Sequence, residues 1–458
     1  MAATPALSAE AADRRHVWHP FTQMHEYWEQ PPLVIASGRG GWLIDSEGRE
    51  YLDGNASIWT NVHGHNDPDL NAALQRQLAQ VAHSTMLGLT HEPGVRLAAE
   101  LASMAPEGLG RVFFSDNGAG AVEIALKMSF QYWQLAGRSE KRGVIGLAGG
   151  YHGDTIGTMA VGDSGFFHER FRAWGFPADH FPAPVCQEWA GVVREADIGA
   201  SLKALEALLI TKSDRTACLI LEPSVQGAAG MRLQPPGFVK AVEALCRKYE
   251  VHLILDEVFV AFGRLGSMLV CSEEGVTPDF LCLAKGLTGG YLPLAATLAR
   301  EEIFSAFLGN YESRRAFFHG HTFTGNPLAA AVALENIRKL RVLIADGTLQ
   351  ARTACFGRLL AEAFEGHPHV GELRQRGLTA AIDLVPADGG RYPAAARAAL
   401  QVCMRARDHG LLLRPLGDSL LLVPPLCLSD AELGELASRT ACAIDDILPT
   451  FQYHAQRS

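Results

Sequence analysis

Short, almost uninterrupted apolar runs alternate with helix-period segments from about residue 68 onward. A strand buried on both faces is apolar at nearly every position, and parallel strands need a crossover, usually a helix, between them. The alternation therefore predicts an α/β fold in which a mostly parallel sheet is covered by helices. The predicted strands are 111–115, 143–148, 217–222, 252–257, 280–284 and 294–299.

The two ends of the chain carry a different pattern. A hairpin is predicted around Ser46-Glu47-Gly48, and strands at 379–385 and 419–425 indicate a smaller α+β domain after a long helix at 327–342. The expected division is a loose N-terminal tail at 1–15, a segment joining the small domain at 16–67, a large domain at 68–340 and a C-terminal small domain at 341–458.

Composition excludes several classes of partner. The chain has 40 Lys and Arg against 50 Asp and Glu, and this acidic balance argues against nucleic acid. We find neither a signal peptide nor an apolar run long enough to span a bilayer, so no membrane is expected. Nine cysteines without a CxxC pair are typical of reduced core thiols in a cytoplasmic protein. No zinc-type spacing is present, so no metal site is expected.

Three ionisable residues lie at the carboxyl ends of predicted strands: Glu222, Asp256 and Lys285. Taken singly, each is also typical of a solvated strand end. Ligands bind beyond these ends in an open parallel sheet, so together the three residues indicate a site. A lysine in apolar surroundings has a lowered pKa and can form a Schiff base with an aldehyde. An aspartate can pair with the ring nitrogen of pyridoxal 5'-phosphate (PLP).

A glycine-containing turn supplies what the phosphate of PLP needs. The strand at 111–115 is followed by Gly118-Ala119-Gly120 and then by a helical pattern. Backbone N–H groups at a helix N-terminus bind phosphate, although such a turn alone is also common in proteins without a ligand. Tyr151 follows the next strand, where its ring is placed to cover the pyridine ring. The combination predicts a PLP enzyme.

These motifs occur in the order and spacing of a known family. The run Asp256-Glu257-Val258, the lysine at 285 and the turn Gly320-His321-Thr322 resemble the class III aminotransferases, which have PLP fold type I. The resemblance covers about residues 16–450. It implies a transaminase that takes a small-molecule amino donor and a keto acceptor.

The resemblance also implies roles for matching positions. Lys285 would hold PLP covalently, Asp256 would pair with the pyridine nitrogen, and Val258 and Tyr151 would pack on opposite faces of the ring. Thr322 would reach the phosphate of the neighbouring subunit, so a homodimer with shared active sites is implied. The expected catalytic residues are Lys285, Asp256 and Tyr151. The expected cofactor-binding residues are Gly118, Ala119, Tyr151, Glu222, Gln226, Asp256, Val258, Lys285 and Thr322.

Within the class, segments such as 17–24 and 82–93 resemble the branch that aminates 8-amino-7-oxononanoate to 7,8-diaminononanoate in biotin synthesis. In that branch an arginine binds the carboxylate of the acceptor, and Arg414 matches it; a guanidinium fork suits a carboxylate. The expected substrate-binding residues are Phe21, Trp59, Asp154, Gly320 and Arg414.

The chain departs from the family at three places. Phe21 replaces a common tyrosine, Ile58 precedes Trp59 where users of S-adenosylmethionine carry paired tryptophans, and Phe259-Val260-Ala261 changes the pocket wall. The single tryptophan favours L-lysine over S-adenosylmethionine as amino donor. An alternative function is a broad ω-amine:pyruvate transaminase, and a remoter one is a non-catalytic PLP-binding protein.

Overall fold

The computed structural model describes residues 7–184, 187–189, 192–194 and 198–451. Its strands are β1 Ile35–Arg39, β2 Trp42–Asp45, β3 Glu50–Asp53, β4 Arg111–Ser115, β5 Gly143–Leu147, β6 Asp179–Phe181, β7 Gln187–Trp189, β8 Val192–Arg194, β9 Thr216–Leu221, β10 Val225–Gln226, β11 Arg232–Leu233, β12 His252–Asp256, β13 Phe280–Leu283, β14 Ala295–Ala299, β15 Val370–Gln375, β16 Ala380–Leu384, β17 Leu411–Leu412, β18 Arg414–Leu416 and β19 Ser419–Leu422.

The α-helices, in chain order, are α1 Ala9–His16, α2 Met24–Tyr27, α3 Ala56–Trp59, α4 Pro68–Leu78, α5 Glu92–Met104, α6 Gly118–Leu135, α7 Ile156–Val161, α8 Ile198–Lys212, α9 Phe238–Lys248, α10 Val270–Glu273, α11 Glu301–Ala306, α12 Pro327–Ala345, α13 Thr348–Phe364, α14 Ala398–Asp408 and α15 Asp430–Ile447. Short 3₁₀ turns lie at Gly165–Phe167, Glu169–Trp174, Lys285–Thr288, Tyr311–Ser313, Ala394–Ala396 and Leu448–Thr450. None of the helices in the described part of the chain has the length and hydropathy needed to cross a bilayer.

A seven-stranded sheet forms the centre of the molecule, in the order β4-β14-β13-β12-β9-β5-β6. Only β14 runs antiparallel to its neighbours β13 and β4. The six runs predicted from the sequence are all strands of this sheet, and the mostly parallel α/β fold is confirmed. Every residue of β9, β12, β13 and β14 is buried, because helices cover both faces. The three-residue strand β6 was not predicted, since it is too short for a visible pattern.

The C-terminal segment builds a separate antiparallel sheet, in the order β15-β16-β19-β18. The N-terminal hairpin strands β2 and β3 belong to another sheet, in which β3 pairs in parallel with β17. The hairpin and the C-terminal segment are therefore hydrogen-bonded to each other. This pairing agrees with the expectation that 16–67 joins the small domain, while the division into domains stays a prediction.

The expectation of a loose tail needs correction for its second half. Residues 9–16 form α1, which the side chain of Ser8 caps by accepting a hydrogen bond from the backbone N–H of Ala11. Arg14 then donates to the carbonyl oxygens of Trp28 and Gln30. The alanines of this segment are strong helix formers, which explains the difference. Residues 1–6 lie outside the described residues.

Candidate active site

A cavity of about 690 Å³ opens at the carboxyl ends of the parallel strands. It lies at the edge of the sheet where the sequence predicted a ligand site. The structure brings nine of the predicted site residues together in its wall: Trp59, Gly118, Ala119, Tyr151, Asp154, Glu222, Asp256, Val258 and Lys285.

Lys285 begins the 3₁₀ turn that follows β13 and lies half-buried in the cavity wall. Burial lowers the pKa of its amine to about 8, against the opposing charges of Asp256 and Glu222. Its backbone φ of 45° lies in the left-handed region, which costs a non-glycine residue roughly 1–3 kcal/mol. Asn336 of α12 supports this turn by donating to the carbonyl oxygens of Gly286 and Leu287 at 2.8 and 3.0 Å. The fold therefore maintains a strained backbone at Lys285 and an amine that is partly neutral.

Asp256 ends β12 and is paired with a histidine. Its Oδ2 accepts a hydrogen bond from His152 Nδ1 at 2.7 Å, and its Oδ1 accepts one from the backbone N–H of Val258 at 3.1 Å. Both side chains are buried. The pair holds the carboxylate in one orientation, as a partner for the protonated nitrogen of a pyridine ring requires.

Glu222 fixes the loop that carries Tyr151. Its two carboxylate oxygens accept from the backbone N–H groups of Tyr151 at 3.0 Å and Gly227 at 2.9 Å. Burial raises the pKa of Glu222 to about 7, with the nearby carboxylate of Asp256 adding to the shift. The geometry shows Glu222 joining two loops at the rim of the sheet.

The N-terminus of α6 faces the cavity with its first residues, Gly118 and Ala119. Asn117 caps the helix by accepting the N–H of Gly120 at 2.8 Å. The N–H groups of the first helical turn have no acceptor within the helix, so those of Gly118 and Ala119 remain for an anion. A Cβ at Gly118 would lie 2.6 Å from Val258 Cγ1, which shows how closely this turn packs on the strand-end residue.

Tyr151 and Asp154 form one wall of the cavity. The Tyr151 hydroxyl donates to Asp154 Oδ2 at 2.8 Å. Burial raises the pKa of Tyr151, and the carboxylate of Asp154 raises it further, so the phenol stays protonated. The aromatic face is therefore available for stacking while its hydroxyl is held by a neighbour.

Trp59 and Phe259 form another part of the cavity wall. Residues 56–59 adopt φ values between 44° and 67°, a left-handed turn that no sequence pattern indicated. Asn55 accepts a hydrogen bond from Trp59 Nε1 at 3.0 Å and holds the indole. The Trp59 ring centre lies 4.6 Å from that of Phe259 and 4.7 Å from Lys285 Nζ. Two aromatic rings therefore adjoin the amine.

Five predicted residues lie outside the lining of this cavity. Gln226 is buried behind it and donates to the carbonyl oxygen of Ala148 at 3.0 Å. Phe21 is 59% exposed, Gly320 and Thr322 are exposed on the surface of the chain, and Arg414 is half-buried at the start of β18. Their roles stay predictions.

The donors in the cavity fit PLP. Lys285 offers an amine for its aldehyde, Asp256 a carboxylate for its ring nitrogen, and the start of α6 two N–H groups for its phosphate. Sequence reasoning missed His152 as the partner of Asp256. The signal was present, because His152 follows β5 at the same edge of the sheet as Asp256.

Comparisons with known proteins agree with this geometry. The profile of the family "Aminotransferase class-III" matches residues 24–444. A Geobacter sulfurreducens protein named adenosylmethionine-8-amino-7-oxononanoate aminotransferase is 47% identical over 428 residues, which cover 92% of this chain and 94% of that protein.

Solved structures extend the likeness to the fold. The enzyme of the same name from Methanocaldococcus jannaschii has a TM-score of 0.90 and 38% identity, covering 95% of this chain and 98% of that one. An amine transaminase from an uncultivated Pseudomonas species, solved in its PLP-bound form, has a TM-score of 0.85 and 32% identity over 94% of this chain and 98% of that one. The chain thus belongs to the class III aminotransferases, with the fold type I architecture and PLP as its cofactor.

Proposed function

We propose that this aminotransferase converts 8-amino-7-oxononanoate to 7,8-diaminononanoate, a step of biotin synthesis. One observation carries the proposal: relatives with that acceptor in their name are similar over nearly the whole length of both chains, at up to 47% identity. The site supports it with an apolar aromatic wall at Trp59 and Phe259, which suits an alkyl chain.

The residues of the chain divide the work of amino transfer. PLP, when bound, supplies an aldehyde for the amino group and an electron-withdrawing ring. Asp256, oriented by His152, keeps a proton on the pyridine nitrogen. The Lys285 amine, with its pKa lowered by burial to about 8, accepts and returns a proton at the carbon that exchanges its amino group. The Trp59 and Phe259 rings lie beside this amine, with ring centres 4.7 and 5.4 Å from Lys285 Nζ.

The direct test is an assay of purified holoenzyme with 8-amino-7-oxononanoate and with pyruvate as acceptors. We expect a kcat/KM for 8-amino-7-oxononanoate at least about 100-fold above that for pyruvate, because binding the distal parts of the acceptor lowers the barrier. Equal values for both acceptors would refute the proposed substrate. The Lys285→Ala variant is the control for uncatalysed amine exchange.

The alternative is a broad amine:pyruvate transaminase. It is favoured by the likeness to the Pseudomonas amine transaminase and by Phe21, which lacks the hydroxyl that many relatives of the oxononanoate branch carry. The same assay separates the two functions, because only the alternative predicts efficient use of pyruvate with simple amines.

For the amino donor, the sequence predicts L-lysine over S-adenosylmethionine, because Ile58 replaces one aromatic wall. S-adenosylmethionine is the alternative donor, and two observations favour it. The relatives' name begins with adenosylmethionine, and Phe259 provides a second aromatic ring beside Trp59. A sulfonium gains about 0.5–2 kcal/mol from such rings. Comparing kcat/KM for the two donors, with 8-amino-7-oxononanoate as acceptor, decides between them. Phe259→Leu should reduce kcat/KM for S-adenosylmethionine and leave that for L-lysine unchanged.

We also propose a homodimer with shared active sites. The surface around Thr322 is unusually apolar for a free chain, with Leu87 89% exposed, Phe318 76% exposed and Phe323 56% exposed. His83 and Phe323, whose ring centres are 4.7 Å apart, join the two segments of this surface. A second copy of the chain would cover these side chains and bring Thr322 toward the neighbouring site. Analytical ultracentrifugation should find a dimer, and a monomer at micromolar concentration would contradict the proposal.

A further inference from the structure

A buried histidine stands behind the cavity wall that Tyr151 and Asp154 form. His168 lies between two 3₁₀ turns, is 4% exposed, and does not line the active-site cavity. Its position is notable because both residues in front of it belong to the cofactor cavity.

His168 contacts both of these residues. Its Nε2 lies 3.1 Å from Asp154 Oδ1, the carboxylate oxygen that Tyr151 does not use. Its ring stacks on the Tyr151 ring, with centres 5.6 Å apart and planes inclined by 26°. Asp154 therefore bridges Tyr151 and His168, and the imidazole backs the phenol.

The bridge determines how freely the wall can move. Asp154 is 48% exposed in its side chain, so without a second partner water would compete for its carboxylate. His168 is rigid by comparison, since it is buried and provides a donor on one side and a ring face on the other. Hydrogen bonds from both neighbours lower the pKa of Asp154 against the effect of its own partial burial, which keeps it an acceptor.

We propose that His168 is a positioning residue for the cofactor site: it holds Asp154 by a hydrogen bond and backs the ring of Tyr151, so that the phenol keeps one orientation in the cavity wall. It acts through these two residues and touches neither substrate nor cofactor. Substituting a residue with this role should change the affinity for PLP and the asymmetry of the environment of bound PLP, in addition to any effect on turnover.

The test separates the hydrogen bond from the ring. His168→Phe keeps a ring behind Tyr151 and removes the donor, His168→Gln keeps a donor and removes the ring, and His168→Ala removes both. The control is His180→Ala, because His180 is a half-buried histidine whose ring bonds to the carbonyl oxygen of Val161 instead. For each holoenzyme we would measure the PLP dissociation constant and the visible circular dichroism of the bound cofactor, with thermal unfolding as the check on folding.

We expect His168→Phe to bind PLP about 3- to 10-fold more weakly, the range for one lost hydrogen bond, and to show a smaller cofactor dichroism signal. His168→Ala should be weaker still, His168→Gln should regain part of the affinity, and His180→Ala should match the wild type. A folded His168→Phe variant with wild-type affinity and dichroism would overturn the proposal. If His168→Ala does not fold, the folded Phe variant, which retains a ring, still decides.

Discussion

At the scale of single residues, the amine of Lys285 makes the site's chemistry depend on pH. Because burial lowers its folded-state pKa to about 8 from an ordinary 10.5, the neutral, nucleophilic form is far more abundant near neutral pH than in an exposed lysine. The rate at which apoenzyme captures PLP should rise with pH and level off above about 8. Stopped-flow absorbance measures this, with a free lysine derivative as control. A midpoint near the ordinary value would contradict the assignment.

The same shift has a consequence for stability. Between the folded and unfolded pKa values the unfolded lysine binds more protons than the folded one, so the contribution of Lys285 to the free energy of unfolding increases as pH rises through this window. In Lys285→Met apoenzyme this part of the pH dependence should vanish. Urea unfolding at several pH values above 8 tests it, and an unchanged pH profile would show that the amine is not desolvated.

The hydrogen-bonded pair Asp256 and His152 can be tested by substituting each residue. Asp256→Asn should leave the fold intact and reduce turnover strongly, because a neutral amide cannot keep the proton on the pyridine nitrogen. His152→Ala should cost about 10- to 100-fold in turnover, the range for a hydrogen bond to a charged group. The control is Asp279→Asn, a buried aspartate that accepts from Leu253 N–H and Arg247 away from the site. It should reduce stability but not the turnover of the folded enzyme.

Arg414 provides a test of the acceptor. We predict that Arg414→Ala lowers kcat/KM for acceptors with a distal carboxylate by the equivalent of about 2–5 kcal/mol. The kcat/KM for simple amines should not change. The reason is the loss of a charge-assisted pair that simple amines never make. Equal losses for both substrate types would assign Arg414 a structural role in β18.

At the scale of elements, the start of α6 and the end of β12 must approach closely to make the phosphate site. Gly118→Ala would place its Cβ 2.6 Å from Val258 Cγ1, and the overpacking should cost about 1–3 kcal/mol, seen as weaker PLP binding. Val258→Ala in the same chain should restore part of the affinity. Gly110→Ala is the control, since a Cβ there meets nothing within 4 Å. If the double variant binds no better than Gly118→Ala, the contact is not the cause.

These elements also show what the sequence allows one to predict. Buried strands such as β9 and β12 are apolar along their central positions, so the sheet and the polar residues at its edge followed from pattern alone. The left-handed turn at 56–59 did not, because none of its four residues is a glycine or asparagine, the residue types that usually signal positive φ. The contact between the Trp59 and Phe259 rings did not follow either, because it joins residues 200 positions apart.

At the scale of the whole molecule, the proposed dimer predicts that variants complement each other. Lys285 lies in the cavity of its own chain, whereas Thr322 is exposed and is expected to reach the phosphate in the neighbouring site. Lys285→Ala should be inactive, and Thr322→Val should need more PLP for activity. In a mixed dimer, the site with an intact lysine receives its threonine from the Lys285→Ala chain. That site should then match the wild type.

The measurement is activity at limiting PLP after the two variants are unfolded, mixed in equal amounts and refolded together. Because random pairing makes half of the dimers mixed and each mixed dimer has one complete site, activity should reach about one quarter of the wild-type value. Refolding each variant alone is the control. If the mixture shows only the average of the two variants, Thr322 acts within its own chain and the sites are not shared. At saturating PLP, the mixture should no longer exceed the average of the two variants. This result would show that Thr322 acts on the binding of PLP, as expected of a threonine that binds the phosphate in the partner's site.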